Sequence, residues 1–340
     1  MELMDALVCV KPGILRVMQR PKAVRGPDEV LVRPLRIGIC GTDYHIFEGN
    51  QPFLDYPRVM GHELAVEVVE APAASGFAAG DICVVNPYLS CGECGACRKG
   101  KPNCCVKLAV LGVHRDGGMT GLLSLPPRNL IAGNGLSVDE CAMVEFLAIG
   151  AHAVRRGVVG RGDRVLVIGA GPIGLGVGLF AALSGAEVRM MDRDQGRLDN
   201  AAELLPLAGT ILAAGDVGAL ISKCTDGGGF DAAFDATGSR ASIEAAFDYV
   251  ANGGRYVLVS IVKGSISFVD SDFHRKELTL LGSRNATNED FERVIEAIKA
   301  GHAPSDKWIT HRTSLQGAVR DLPNWATKKS GLIKAVIEVG

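Results

Sequence analysis

The chain has 340 residues, 47% of them hydrophobic and 22% charged, with a formal net charge of −2. That length exceeds one ordinary core and predicts two domains of globular composition. No basic field argues for nucleic acid or an anionic membrane, and no apolar run approaches the roughly 20 residues that span a bilayer.

The N-terminal stretch MELMDALVCVKPG carries an acid early and reads as a short strand rather than a signal peptide. A cytoplasmic location is therefore expected. Thiols there stay reduced, so clustered cysteines point to metal and not to disulfides. Short β-like runs with glycine and proline turns follow, such as EVLVRPLRIGI (29–39) and GDICVVNP (80–87). Between them stand Cys40, in GICGTDYHIFEGN, and His62 with Glu63, in YPRVMGHELAVEVV; CAMVEFLAIGAHAV later supplies Glu145. A Cys/His/carboxylate set with one exchangeable position is the pattern of a catalytic zinc. Taken singly these residues say less: His62 also fits a satisfied core histidine, and Glu63 a surface acid. Asp43 is placed to orient a ligand from behind.

The stretch PYLSCGECGACRKGKPNCCVKL (87–108) holds five of the ten cysteines. Cys91, Cys94, Cys97 and Cys105 follow the spacing x2, x2, x7, and four thiolates close a tetrahedral zinc shell with no position left for substrate. Such a site stabilises a lobe, about 86–110, and does not catalyse. Cys104 is the spare thiol. A zinc ribbon for nucleic acid is opposed by the net charge, whereas an iron–sulfur cluster stays open on ligands alone.

Next comes DRVLVIGAGPIGLGVGLFAALSGAEVRMMDRDQGRL. It reads as a buried strand (164–168), the turn Gly169-x-Gly171-x2-Gly174, a helix from Pro172 to about Ser184, and a second strand (187–191) ending at Asp192. A lone glycine signature is weak, but strand, glycines, helix, strand and acid in this order form the dinucleotide-binding context. Gly169 permits the turn, Gly171 lets backbone approach a pyrophosphate, and Gly174 allows close helix–strand packing. Pro172 and Ile173 open the helix whose N–H groups hold the anion. Asp192 can accept from ribose hydroxyls and repel a 2′-phosphate, which favours NAD; Arg193 and Arg197 follow it on the cofactor side, and Arg193 leaves NADP open. The runs 230–238, 253–264 and 277–287 read as later strands of the same unit.

The four-cysteine loop, CGTD and GHE together resemble the zinc-dependent medium-chain alcohol dehydrogenases, over essentially the whole chain, and more closely the polyol and threonine dehydrogenase branch. The resemblance implies an α/β protein: a GroES-like β-barrel catalytic domain (1–148), a Rossmann doubly wound parallel sheet (149–275), and a return to the catalytic domain (276–340). It implies two zinc ions per chain, one catalytic on Cys40, His62 and Glu63 with Glu145 as a further ligand, direct or through water, and one structural. Ethanol-type enzymes place a cysteine where Glu145 stands. Thr42 would bond the substrate oxygen and His45 would pass the proton to solvent; a surface histidine is the plainer reading of His45. The chemistry implied is hydride transfer between a secondary alcohol and NAD, in a homo-dimer or homo-tetramer.

For the substrate, LLGSRNATNEDF resembles bacterial sugar-acid 5-dehydrogenases acting on L-galactonate or L-gulonate. Arg284 suits a carboxylate bidentately, though it equally suits hydroxyls, cofactor or a structural surface role. Asn285 and His114 are further substrate candidates. Departures from the family pattern are Val66 for a glycine, Phe146 for a proline, and MTGLLSLP after Gly118, all of which bear on pocket shape. Two alternatives stand beside this reading: a sorbitol- or threonine-type dehydrogenase of the same fold, and a zinc- and NAD-binding sensor without turnover. Cys9, Cys83, Cys141 and Cys224 are expected in the core, and His152 is expected to be structural.

Overall fold

The computed structural model describes residues 2–327 and 331–339. The chain separates into two units: Met1–Glu145 with Thr287–Gly340, and Phe146–Ala286. The second unit is thus inserted, in sequence, into the first.

The first unit is built from antiparallel strands. Leu3–Lys11 pairs with Ile14–Pro21 and with the two-residue strand Arg58–Val59. A seven-stranded sheet runs in the order Leu130–Ala132, Ile82–Val85, Glu63–Glu70, Val30–Ile39, Lys334–Glu338 and Ile309–Ser314, and Leu123–Leu125 pairs with Val30–Ile39 off this path. The last two strands of the main order are parallel to each other. A continuous apolar run, not alternation, marks the strand Leu3–Lys11: Ala6, Leu7, Val8 and Cys9 are buried in succession, so both faces are covered there, and they join Val30, Val32, Ile37, Leu64, Val66 and Ile337 in one apolar core. A hairpin of Tyr88–Leu89 with Ala109–Val110 closes the root of the cysteine loop.

The second unit is a six-stranded parallel sheet in the order Gly209–Leu212, Glu187–Asp192, Arg164–Ile168, Phe230–Asp235, Val250–Leu258 and Thr279–Gly282. Arg164–Ile168 reads RVLVI and is buried along almost its whole length, as a strand covered on both faces must be. The strand order reverses between Arg164–Ile168 and Phe230–Asp235, and in such open sheets ligands bind at the carboxyl ends of strands beside that reversal.

The structure differs from the sequence expectations at three places. A division at 275/276 cuts off Thr279–Gly282, whose main-chain pairing with Val250–Leu258 puts it in the parallel sheet; the second unit ends at Ala286. The first boundary falls after Glu145 rather than after residue 148. The strand placed at 253–264 begins earlier and stops at Leu258. No helix among the described residues is long and apolar enough to cross a membrane.

Candidate active site

Cys40 ends the strand Val30–Ile39 and caps the helix Gly41–Glu48. Its thiol accepts from the Thr42 N–H at 3.2 Å, and its own N–H donates to the Asp43 carboxylate at 3.1 Å. This reciprocal capping fixes the direction of the sulfur. Glu63 opens the neighbouring strand Glu63–Glu70 and pairs with Gly38, and His62 stands just before it. The two strands bring Cys40 Sγ within 3.0 Å of His62 Nε2, and one ligand atom each of Cys40, His62 and Glu63 lie within 4.8 Å of one another.

Glu145, in the first turn of the helix Val144–Arg156, lies outside that close group. Its carboxylate accepts a hydrogen bond from the Tyr88 hydroxyl. It is still within electrostatic reach: burial pushes Glu145 up to about 7, against the pull of His62 and with the push of Glu63. Burial also works against a charged His62 ring, but its hydrogen bond and charge interaction with Cys40, and the Asp43 and Glu145 carboxyls beside it, outweigh this and hold His62 well above the ordinary histidine range. Burial raises Asp43 too.

One residue that sequence reasoning passed over completes this group. Lys334, in the strand Lys334–Glu338, is 1% exposed and forms an ion pair with the fully buried Glu63. Gly38 makes room for the pair, since a Cβ there would fall on the Glu63 carboxylate and press on the Lys334 stem. The signal was present: a lysine within the apolar alternation LIKAVIEV has no ordinary reason to face inward.

The residues fit a divalent cation. A thiol, an imidazole and a carboxylate converge, with the Asp43 and Glu145 carboxylates buried nearby, and His62 Nδ1, Asp43 Oδ1 and Glu63 Oε1 have no hydrogen-bond partner among the described residues. Soft sulfur, imidazole nitrogen and carboxylate oxygen form a mixed donor set of the kind zinc accepts.

The cysteine loop fits a second ion. Its sulfurs stand 3.4 Å (Cys91–Cys105), 3.5 Å (Cys94–Cys97) and 4.0 Å (Cys91–Cys97) apart. Sulfurs at tetrahedral corners ~2.3 Å from a zinc ion would stand about 3.8 Å apart. The N–H groups of Cys91 and Lys107 reach Cys105 Sγ at 3.3 Å; N–H donors, that of Cys97 foremost, bring Cys94 down to about 6, whereas burial and the neighbouring thiols push Cys97 up to about 11. Cys104 is exposed and outside the set.

In the second unit the turn Gly169–Gly174 joins Arg164–Ile168 to the helix Pro172–Leu183. Gly169 has a φ of +99°, and a Cβ at Gly174 would run into the Gly169 carbonyl oxygen. A Cβ at Gly171, by contrast, would meet nothing within 4 Å, which leaves space for a ligand. Gly171 caps the helix without any side-chain hydrogen bond, so the N–H groups of the first turn, opened by Pro172 and Ile173, are left for an anion. Asp192 is more committed than expected. Its two carboxylate oxygens accept from the N–H groups of Ala170 (2.7 Å) and Asp194 (3.0 Å), tying the strand end to the glycine turn. Arg197 stands 4.0 Å from it, and Arg193 is exposed.

Across the strand-order reversal, Asp235 is fully buried and was not singled out from sequence. It accepts from Thr237 N and Oγ1, Ser260 Oγ and Ser242 Oγ, at 2.8–3.2 Å. These bonds hold the loop that packs beside Gly169.

The remaining expected residues are scattered. Thr42 is half-buried beside Cys40; His45, one turn on, is exposed and 3.7 Å from Glu48. His114 stacks on Phe53, and its Nδ1 accepts from the Val110 N–H. Arg284 is exposed and Asn285 has a left-handed backbone (φ +54°); both belong to the second unit, whereas His114 belongs to the first. Cys9, Cys83 and Cys141 are buried and Cys224 half-buried. His152 is buried with its Nδ1 3.2 Å from Arg155.

The alcohol dehydrogenase GroES-like domain matches residues 26–134, and the zinc-binding dehydrogenase domain matches residues 172–300. L-Galactonate-5-dehydrogenase of Escherichia coli (strain K12) is 38% identical over 99% of both chains. Sorbitol dehydrogenase of Halalkalibacterium halodurans is 29% identical over 92% of this chain and 93% of its own. Among solved structures, a short chain alcohol dehydrogenase (rspB) from E. coli CFT073, complexed with cofactor NADH, superposes with a TM-score of 0.91 at 29% identity over 99% of both chains. The GroES-like unit, the parallel sheet with its glycine turn, and two donor sets suited to zinc therefore have one explanation: the chain belongs to the zinc-binding dehydrogenase family and is a zinc-dependent alcohol dehydrogenase.

Proposed function

We propose that the chain oxidises a secondary alcohol of a sugar acid or polyol, with L-galactonate and L-gulonate as the best-fitting substrates and NAD as the hydride acceptor. One coincidence carries this reading: the buried Cys40, His62 and Glu63 group occurs in a chain similar from end to end to an L-galactonate-5-dehydrogenase. NAD is supported by Asp192 at the strand end, whose carboxylate disfavours a 2′-phosphate, and by the NADH complex of the E. coli neighbour.

Cys40, His62 and Glu63 would hold the metal, with Glu145 as a further ligand, direct or through water; Asp43 steadies the group from behind. Zinc bound there supplies Lewis acidity, which lowers the pKa of an alcohol much as it lowers that of water to ~7. Thr42 takes the hydrogen bond of the substrate hydroxyl. His45 lies three residues further along the same helix, hence on the same face, and its exposure suits it to hand the proton to water. NAD, held by the turn Gly169–Gly174 and the first N–H groups of the helix Pro172–Leu183, would supply the hydride acceptor that turns the alcohol into a carbonyl, leaving one proton to be released for each alcohol oxidised. Arg284 is the guanidinium offered to the acid's carboxylate, and Asn285 and His114 serve hydroxyls.

The test is NADH formation by zinc-loaded protein on L-galactonate, L-gulonate, sorbitol, xylitol, threonine and ethanol. The hexonates are expected to give the highest kcat/KM, and Arg284→Ala to raise their KM more than that of sorbitol. A sorbitol or xylitol preference overturns the sugar-acid assignment and favours the second reading, a polyol enzyme, which the sorbitol dehydrogenase relative supports.

A further inference from the structure

Tyr88 belongs to two neighbourhoods, that of Glu145 and that of the cysteine loop. Its hydroxyl donates to the Glu145 carboxylate, while its main chain forms, with Leu89, one side of the hairpin that closes the cysteine loop. Tyr88 pairs with Val110 and Leu89 with Ala109, so the segment carrying Cys91, Cys94, Cys97 and Cys105 leaves and returns through this hairpin.

The backbone of Tyr88 is clamped on both sides. Its N–H donates to Asn86 Oδ1 at 3.0 Å, and its carbonyl accepts from Asn129 Nδ2 at 3.3 Å. Asn129 Nδ2 also reaches the Asn86 carbonyl at 2.8 Å, and the Asn86 N–H reaches the Asn129 carbonyl at 2.8 Å. Both asparagines are buried. This ladder leaves the phenol little freedom to swing, so where the hairpin sits decides where the hydroxyl sits. A phenol in water would need none of this; a buried one aimed at a buried carboxylate fixes which Glu145 oxygen is free to turn toward His62 and Glu63.

We propose that Tyr88 is a positioning residue that couples the cysteine lobe to the Cys40 site: with the lobe closed on its ion, Tyr88 holds Glu145 in the orientation that supports the second ion. The proposal rests on the reading that both donor sets bind zinc. It makes the lobe's ion a determinant of the other ion's affinity, although its own shell is closed to substrate. Coupling of this kind is reciprocal, and hydrogen-bond partners behind metal ligands are typically worth about 10–100-fold in metal affinity.

The experiment is zinc release from the full chain against a graded series of chelator concentrations, with melting temperature recorded alongside, for wild type, Tyr88→Phe, Cys94→Ser and the double variant. Wild type is expected to hold two ions of distinct affinity. Tyr88→Phe is expected to release one ion about 10-fold more readily and to keep the other, with its melting temperature little changed. Cys94→Ser is expected to lose the lobe's ion and to weaken the remaining one by a similar factor, with no further loss in the double variant. Two ions in wild type with unchanged affinities in Tyr88→Phe overturn the coupling and leave the metal reading intact. Fewer than two ions in wild type overturn both. Should Cys94→Ser fail to fold, Tyr88→Phe alone decides.

Discussion

Glu63 and Lys334 show how much one buried pair asks of its surroundings. Neither side chain meets solvent, and Gly38 lacks the Cβ that would occupy their space. Removing one partner of such a pair leaves an uncompensated charge in a dry environment, at a cost of about 3–5 kcal/mol. Lys334→Met is therefore expected to lower unfolding stability by about that amount, read from urea midpoints on the zinc-free chain; an unchanged midpoint would show that Glu63 is compensated elsewhere. The residues of the two donor sets stood out in the sequence because their chemistry is unusual and, in the cysteine loop, their spacing short. Lys334 and Tyr88 did not, because each is defined by a partner far away in sequence. A lysine in an apolar strand and a tyrosine before a cysteine loop announce burial at most, and the partner emerges only when strands are paired.

Among the elements, the helix Pro172–Leu183 illustrates what a short motif can specify. Its start, its glycine turn and the strand before it were readable because proline, glycine and a β-branched run each constrain the backbone locally. Gly174→Ala is expected to lose at least about 10-fold in NAD affinity by calorimetric titration, since overpacking typically costs ~1–3 kcal/mol and the methyl would displace the Gly169 carbonyl that shapes the turn. Unaltered affinity would mean that the turn can relax without cost. Thr279–Gly282 was legible as a later strand of this unit, within the run 277–287; its extent and its neighbour were not, because pairing with Val250–Leu258 is main-chain bonding between separate segments and leaves no mark in composition. The loop held by Asp235 was missed for another reason: Thr237, Ser242 and Ser260 are ordinary hydroxyl residues, and their convergence on one buried carboxylate is set by how the chain turns after the strand.

At the scale of the molecule, the first unit is also tied by charge. Asp139 accepts from Arg312 at 2.6 Å and Arg36 at 2.9 Å, and both arginines approach Glu338. The Arg312 guanidinium foremost holds the Asp139 carboxyl below its usual range. A carboxylate whose folded value is depressed stabilises the fold above its unfolded value, near ~3.9, and loses that contribution as pH falls through the folded value. Asp139→Asn should accordingly flatten the fall of melting temperature below about pH 4, followed by scanning calorimetry in steps of pH. Parallel curves for variant and wild type would remove this network from the acid response. The general architecture was legible because both units carry their own local signatures. The exact seams were not, because a seam is a change of pairing partner and not of residue type.

The insertion of one unit into the other sets an order of events during synthesis. By the time Ala286 leaves the ribosome, the four-thiol loop, the glycine turn and all six parallel strands exist as sequence, so the inserted unit can complete itself. The host unit cannot, for Glu63 still lacks its ammonium and Val30–Ile39 lacks the strand Lys334–Glu338 that flanks it. The unit that receives the insertion is thus completed only after the inserted one, and Glu63 waits on a lysine that follows the whole of Phe146–Ala286.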